Sequence, residues 1–323
     1  MTLPQLPAAV LAAAVLCGYA AGQEERGREA RVTAAEIKRG PKFPRIANCY
    51  GASVGPGAPQ ERIDFVARYD LLIGGFWTKW DNPEHTARLQ QMLAHIKSKN
   101  PRAILLDFSS SAPYAHPDDP AFPKDGWLLT PGGDRINGWP GTFMTNLTKP
   151  EVIDWLAARS ERSVRAGFDG TFIDCMAPYF DAWACEIATG RPWEADADGD
   201  GKPDERAVLD RRWKEAKQRL AEEVRKRIGR NRVFMGNQAG EDNFARVNGI
   251  LFEDNLDYVL DAGAEWRKTV EDYIHWTRTP SRPTVTAIVS SSGVEPPFEA
   301  WRLSDAEKEK LLEKGRSLAR RMR

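Results

Sequence analysis

Histidine and cysteine are scarce in this sequence, with four of each among 323 residues. The four histidines show no metal-ligand spacing, which argues against a metal centre built from imidazoles. Cys17 lies in an N-terminal apolar run, and the other three cysteines allow one bridge, between Cys175 and Cys185, without requiring it. The hydrophobic share of 41% is that of an ordinary globular protein, so we expect a large apolar core.

Net charge is also absent, because 46 Lys and Arg residues balance 46 Asp and Glu residues. Without an excess of positive charge there is no long-range attraction to a polyanion, and we expect no nucleic-acid partner. Tryptophan, in contrast, is abundant, with 11 residues. Such a number of large flat side chains indicates a function that uses apolar faces.

The N-terminus contains an apolar run that is too short for a membrane span. Ala8 to Cys17 covers about ten residues, whereas a bilayer needs ~20, and small residues follow around Ala20 and Ala21. This pattern predicts a signal peptide over 1–22, an exposed segment over 23–42 and one domain over 43–323. We expect a secreted or periplasmic protein with no stable membrane insertion once the signal is removed.

Short β-rich segments alternate with longer amphipathic ones along the domain. The predicted strands are 45–50, 70–74, 103–108, 170–175, 232–236, 249–253 and 284–289. A helix is predicted over 206–228, with Leu209, Trp213, Leu220 and Val224 on one face and Gly229 at its end. Another is predicted to start at a capping box formed by Thr148 and Glu151, and a third covers 304–322.

This alternation predicts parallel strands joined by helices, in an open doubly wound sheet or a closed barrel. No glycine-rich phosphate loop follows the first strand, and polar residues end several strands, as they do in barrels. These residues are Asn48, Asp107, Asp174, Asn237 and Glu253. We therefore predict a (β/α)8 TIM-type barrel whose eighth strand is missing, with strands one and seven beside a gap. Residues 30–38 are an alternative filler, although their composition favours helix.

Two carboxylates at strand ends are the candidate catalytic pair. Asp174 shares the inward face of its strand with Phe172, and Glu253 shares that of its own strand with Leu251. Asp254 is the reserve candidate, since a shift of one residue would exchange it with Glu253. The two strands are two sheet spacings apart, which predicts carboxyl groups ~5–8 Å apart. This range suits glycosidic cleavage and includes both the retaining and the inverting geometry.

Several of these segments resemble a known group of proteins. The matching stretches are Ala47-Asn-Cys-Tyr-Gly51, Leu105-Leu-Asp-Phe108, Gly167-Phe-Asp-Gly-Thr-Phe-Ile-Asp174 and Leu251-Phe-Glu-Asp254. Together they look like the hypothetical glycosyl hydrolase families of bacterial genomes, which are distantly similar to the endo-α-1,4-polygalactosaminidase family. The resemblance implies a (β/α)8 barrel with Asp174 as nucleophile and Glu253 as acid/base.

Further polar and aromatic residues lie on the face where the strands end. The candidate substrate-binding residues are Asn48, Tyr50, Trp77, Trp80, Asp107, Trp127, Trp139 and Asn237. Trp127 and Trp139 belong to a connection from residue 109 to 147, which is far longer than usual and fits a substrate wall or lid. Indole rings stack on sugar C–H faces, but each tryptophan fits an aromatic mini-core of the loop almost equally well. For Asp107, a structural hydrogen bond is an equal alternative.

An acidic loop over 196–205 has the chemistry of a cation site. Aspartates occupy its first, third, fifth and ninth positions and glycine its sixth, as in calcium loops, but Ala207 stands where a bidentate glutamate belongs. The predicted ligands are Asp196, Asp198, Asp200, Lys202 and Asp204. We expect a structural Ca²⁺ and no cofactor for the chemistry.

These observations predict a monomeric glycoside hydrolase that acts on a poly- or oligosaccharide through Asp174 and Glu253. Two alternatives remain open at this point. One is a carbohydrate-binding barrel without turnover, and the other is a lyase or esterase on the same scaffold, because a fold does not determine a function.

Overall fold

The architecture follows from a computed structural model. It describes residues 13–15, 45–49, 54–76, 80, 82–189, 194–253 and 266–288. Tyr50, Trp77, Asp254 and the predicted helix over 304–322 lie outside this part of the chain.

Seven parallel strands form the main sheet. They are β2 (Arg45–Cys49), β3 (Leu71–Ile73), β4 (Ile104–Ser111), β7 (Gly170–Asp174), β8 (Val233–Asn237), β9 (Gly249–Phe252) and β10 (Ala287–Ile288). Each matches one predicted strand, which confirms the parallel (β/α) arrangement with one parallel strand missing. A small hairpin of β5 (Tyr114–Ala115) and β6 (Phe143–Met144) lies in the long connection after β4.

The gap between the first and last parallel strands holds a short antiparallel strand. This strand, β1 (Ala13–Val15), pairs with β2 on one side and with β10 on the other, and so closes the barrel. The prediction that β2 and β10 do not pair directly is thus confirmed. The filler differs from the predicted alternative: it comes from the apolar N-terminal run, not from residues 30–38.

Helices cover the outside of the sheet. They are α1 (Gln60–Val66), α2 (Pro83–Lys99), α3 (Pro150–Arg165), α4 (Ala182–Thr189), α5 (Arg206–Ile228) and α6 (Trp266–Trp276). The prediction for α5 is confirmed, since its apolar residues are buried and Gly229 ends it. Among the described helices, none is both long and apolar enough to cross a membrane.

The predicted capping box at the start of α3 is wrong. The residue preceding the helix is Lys149, and no side chain caps it. The Thr148 hydroxyl instead donates to the Asn146 side-chain oxygen at 2.6 Å, so it is not available to the helix.

Alternation along each strand divides the core into two layers. Inward-facing residues such as Cys49, Leu106, Phe172, Met235 and Leu251 fill the barrel, while their neighbours pack under the helices. Only side chains that face the barrel interior can lie at its mouth, so this division decides which polar residues are found there. Cys175 is a buried thiol and not half of a disulfide, so the allowed bridge from Cys175 does not form.

Candidate active site

On three neighbouring strands, the inward-facing side chains end in a polar residue at the carboxyl end of the strand. Asp174 follows Phe172 on β7, Asn237 follows Met235 on β8, and Glu253 follows Leu251 on β9. These strands are adjacent in the sheet, in the order β7, β8, β9. Side chains two residues apart share a face, so all three polar groups point toward the barrel axis at its carboxyl end.

The amide of Asn237 connects the two carboxylates. Its Nδ2 atom donates to Asp174 Oδ1 at 2.9 Å and also to Glu253 Oε2. Because both hydrogen bonds start from the same nitrogen, the two acceptor oxygens lie no more than about 6 Å apart. The structure therefore brings together Asp174, Asn237 and Glu253.

Four donors surround the Asp174 carboxylate. Besides Asn237, the Cys175 backbone N–H donates to Oδ1 at 2.8 Å, and the Ser111 and Tyr114 hydroxyls donate to Oδ2 at 3.2 and 3.4 Å. Burial, together with nearby negative charge, raises the pKa of Tyr114, so its hydroxyl stays a donor at any physiological pH. Donors of this kind orient a carboxylate and stabilise its negative charge.

The backbone is unusual immediately after two of these residues. Cys175 and Gln238 have φ values of 58° and 50°, the left-handed region that non-glycine residues rarely adopt. Each follows one of the site residues, Asp174 or Asn237, at a strand end. Strained backbone of this type is concentrated at functional sites, where the surrounding structure holds it in place.

A buried ion pair anchors the segment that follows Asp174. The Lys217 ammonium group on α5 donates to the Ala177 and Tyr179 carbonyl oxygens at 2.8 and 3.1 Å, and to Asp181 Oδ2 at 2.7 Å. Both charged side chains are 1% exposed. Burial raises the pKa of Asp181 to about 6, and the charge of Lys217 opposes that shift. The pair holds residues 177–181 against α5.

Asp107, predicted to bind substrate, lies on the other side of its strand. Its carboxylate is buried and accepts a hydrogen bond of 2.5 Å from the Ser163 hydroxyl on α3. Burial raises its pKa to about 6, an effect that Ser163 and the nearby Arg159 and Arg162 reduce. The structure does not bring Asp107 to the other two carboxylates. It supports the alternative of a structural hydrogen bond.

Three more candidate residues occupy structural positions. Asn48 is buried between the inward-facing Ala47 and Cys49, so alternation directs it away from the barrel interior. Trp80 packs on the outer layer, with the Arg162 guanidinium 4.8 Å from its ring centre. Trp127 is buried against Phe122, with ring centres 4.0 Å apart, and belongs to the aromatic core of the long loop.

Trp139 differs from these residues because it is 37% exposed. Its ring meets the ring of Trp183 edge to face, with centres 6.4 Å apart and planes at 69°. Trp183 lies on α4, in the segment that follows Asp174. The two remaining candidates, Tyr50 and Trp77, lie outside the described residues.

The acidic loop gathers three of its five predicted ligands. Asp196, Asp198 and Asp204 each place one carboxylate oxygen within 4.8 Å of the other two, whereas the Asp200 carboxylate is not in this group. Arg212 of α5 forms ion pairs with Asp198 at 3.0 Å and with Asp204 at 3.1 Å.

Asp196 uses both carboxylate oxygens to accept backbone N–H groups of the same loop, from Gly199, Asp200 and Gly201. Calcium binding stays a prediction, and any ion there would compete with Arg212 for two of the three carboxylates.

Sequence reasoning missed Ser111, Tyr114, Asp181 and Lys217. Ser111 reaches the site because β4 contains an irregularity between Phe108 and Ser110 that changes its register with β7. That feature has no sequence signal. Lys217 did carry one, since it lies four residues after Trp213 on the apolar face of α5, where a charged residue is unexpected.

A family model matches the part of the chain that carries these residues. The model of hypothetical glycosyl hydrolase family 15 matches residues 107–312, more than half of the chain. The match includes the strands that carry Asp174, Asn237 and Glu253. No curated protein matches the chain.

Similar solved structures include an alpha-galactosidase from Thermus thermophilus, with 14% identity, a TM-score of 0.43 and coverage of 81% of this chain and 53% of that one. Another is the glycoside hydrolase domain of PelA from Pseudomonas aeruginosa, with 12% identity, a TM-score of 0.36 and coverage of 60% and 62%. A third is Ega3 of Aspergillus fumigatus in complex with galactosamine, with 15% identity, a TM-score of 0.37 and coverage of 59% and 62%. The chain thus spans between about half and two thirds of these structures.

Proposed function

The chain belongs to hypothetical glycosyl hydrolase family 15, and we propose that it hydrolyses glycosidic bonds with Asp174 as nucleophile and Glu253 as general acid/base. The observation that carries this proposal is the hydrogen bonding of one amide group, Asn237 Nδ2, to both carboxylates. An oxygen separation of at most about 6 Å is nearer to the ~5–5.5 Å of retaining glycosidases than to the ~6.5–9.5 Å of inverting ones.

The proposed reaction has two steps. In the first, an Asp174 oxygen attacks the anomeric carbon while the protonated Glu253 gives its proton to the departing glycosidic oxygen, which forms a glycosyl ester and releases an alcohol. In the second, ionised Glu253 takes a proton from water, whose oxygen attacks the same carbon and frees the Asp174 carboxylate. The four donors around Asp174 support its role as nucleophile, because that group must carry negative charge before each cycle.

The test is a hydrolysis assay on p-nitrophenyl α- and β-glycosides and a set of soluble polysaccharides, read as released nitrophenol or new reducing ends. Asp174→Asn and Glu253→Gln keep the size of each side chain, and each should lower kcat by a factor of about 10²–10⁴ or more. Asp107→Asn is the matched control, since it changes a buried carboxylate near α3 and should retain turnover. NMR of the first product should show retained anomeric configuration.

Three results would contradict parts of this proposal. Turnover that survives in both carboxylate variants would remove Asp174 and Glu253 from the chemistry. An inverted first product would keep the pair but reassign Asp174 as a base that activates water. Binding of a polysaccharide without any turnover would instead favour the alternative of a carbohydrate-binding barrel.

A further inference from the structure

Two of the large hydrophobic side chains that the described structure exposes lie at the carboxyl end of the barrel. Trp139 is 37% exposed and Tyr179 is 39% exposed. Trp139 belongs to the connection that follows β4, and Tyr179 to the segment that follows Asp174. Both connections emerge where the candidate carboxylates lie. Exposed apolar side chains that cluster at one place on a surface often mark a ligand-binding site.

Trp183 connects Trp139 to the segment that carries Tyr179. It is half-buried and meets Trp139 edge to face at 6.4 Å. Its side chain also hydrogen-bonds Asp181, the acidic partner of Lys217. The Lys217 ammonium group lies 5.8 Å from the Tyr179 ring centre. Tyr179 and Trp183 therefore both contact the same buried ion pair, and Trp139 packs against Trp183.

The surface is close to Asp174 on both sides. Gly138, which precedes Trp139, packs so closely on Tyr114 that an added Cβ would lie 2.8 Å from the Tyr114 Cβ. Tyr114 in turn donates its hydroxyl to Asp174. On the other side, the Tyr179 hydroxyl donates to the Gln238 side-chain oxygen at 3.4 Å, and Gln238 follows Asn237. The aromatic surface thus borders the candidate site.

We propose that Trp139, Trp183 and Tyr179 form an aromatic platform that binds sugar units beyond the one that is cleaved, so that the substrate is an oligo- or polysaccharide of several units. The proposal rests on the proposed function, because it takes the carboxylates as the point of cleavage. Pyranose rings combine apolar C–H faces, which suit indole and phenol rings, with hydroxyl groups.

The anchoring by Lys217 explains why such a platform would bind effectively. Ligand binding is weakened when loops must be ordered first, and rigid presentation removes that loss. Here the carbonyl of Tyr179 accepts from Lys217, and Trp183 is held through Asp181. Tyr179 and Trp183 are therefore held in place before a sugar arrives.

The experiment is affinity electrophoresis in native gels that contain dextran, xylan, galactomannan, mannan or chitosan. Asp174→Asn serves as host, so that the polysaccharide is not degraded during the run. In this host, Trp139→Ala and Trp183→Ala should each weaken retardation by about 3- to 10-fold in the apparent Kd. Trp139→Phe and Trp183→Phe keep an aromatic ring and should retain most of the binding, which also separates loss of the ring from loss of the fold.

Phe65→Ala is the matched control. Phe65 is exposed to the same degree, 39%, but lies on α1 away from the barrel mouth, so its loss should not change retardation. The proposal is overturned if none of the five polysaccharides retards the host, or if retardation is the same in the Trp139→Ala and Trp183→Ala variants.

The proposed function can fail separately from the platform. If retardation depends on the platform residues but the unmodified protein hydrolyses no substrate, the proposed enzymatic function is wrong and the proposed platform is supported. Hydrolysis of p-nitrophenyl glycosides with retardation that does not depend on the platform would keep the enzyme and refute the platform.

Discussion

Single hydrogen-bonding groups decide the geometry at the barrel mouth. Asn237 has the largest effect, because its one amide nitrogen contacts both candidate catalytic carboxylates. From sequence, Asn237 is predicted only as a hydroxyl binder at a strand end. Its bridging position depends on the register of β8 between β7 and β9, in which Asn237 pairs with Leu251. No local pattern encodes that register.

Asp107 leads to a prediction about pH. Burial raises its pKa from the ordinary value of 3.8 to about 6. Between these values the folded protein holds a proton that the unfolded chain has lost, so raising the pH from about 4 to 6 lowers the free energy of unfolding. Asp107→Asn should remove this pH dependence. The free energy of unfolding of the variant minus that of wild type should therefore be about 1–3 kcal/mol higher at pH 8 than at pH 4.5.

Urea unfolding at the two pH values measures this difference. The Asn side chain still offers an oxygen that can accept a hydrogen bond from Ser163. The variant therefore changes the titration of residue 107 and not this hydrogen bond. Asp181 has a similarly raised pKa and retains its own pH dependence in the variant. A variant that follows the wild-type stability at both pH values would contradict the assignment.

Among the elements, α5 has a second role besides covering the sheet. Through Lys217 it holds the segment between Asp174 and α4. Lys217→Met should lower the free energy of unfolding by about 3–5 kcal/mol at pH 8, because it leaves Asp181 buried and charged without a cation. The loss should be smaller at pH 5, where Asp181 takes up a proton.

Chemical denaturation at both pH values tests this role, with the double variant Lys217→Met and Asp181→Leu as the comparison. Removing both charges should recover much of the lost stability, since no uncompensated charge remains. Equal destabilisation in the single and double variants would mean that packing of the lysine stem, not the ion pair, is what matters.

The acidic loop before α5 gives a prediction about calcium. If Asp196, Asp198 and Asp204 bind Ca²⁺, an excess of calcium at about 100 times Kd should stabilise the protein by about 2.7 kcal/mol, and EDTA should reverse the rise in Tm. Asp198→Asn should abolish the response. An unchanged melting curve on calcium titration would mean that the loop does not bind calcium.

At the scale of the whole molecule, the residues that close the barrel in the structure are also predicted to belong to a signal peptide. Ala13–Val15 pairs with both β2 and β10, yet the same residues belong to the predicted signal peptide over 1–22. Export stays a prediction, which the intact mass of protein recovered from a periplasmic or culture fraction would test. A processed chain could not use these residues to close the barrel.

The full chain and a chain without the predicted signal peptide should differ in the hydrogen-exchange rates of their backbone amides. A chain that starts at residue 23 should exchange the amides of β2 and β10 faster than the full chain, because both strands lose a hydrogen-bonded neighbour. Amides of β7, in the middle of the sheet, are the internal reference and should not change. Identical protection of β2 and β10 in the two chains would show that β1 does not contribute to closure.

Periodicity alone determined most of the architecture. All seven parallel strands, the buried face of α5 and the inward direction of Asp174 and Glu253 were predictable, because strand alternation and helical spacing are local properties of the chain. The capping box failed because of a competing local interaction: the Thr148 hydroxyl donates to Asn146, two residues earlier in the chain.

Only the tertiary structure decided which polar residues share a site. Asp107 and Asp174 both end apolar strands and look equivalent in sequence, but they lie on opposite faces of the sheet, one beside Ser163 and the other beside Asn237. Likewise, Trp127 is buried in its loop whereas Trp139 is exposed beside Trp183. Such differences depend on strand register, loop packing and contacts between residues far apart in the chain. The energies of these interactions belong to the whole folded protein, so they cannot be inferred from a short segment of sequence.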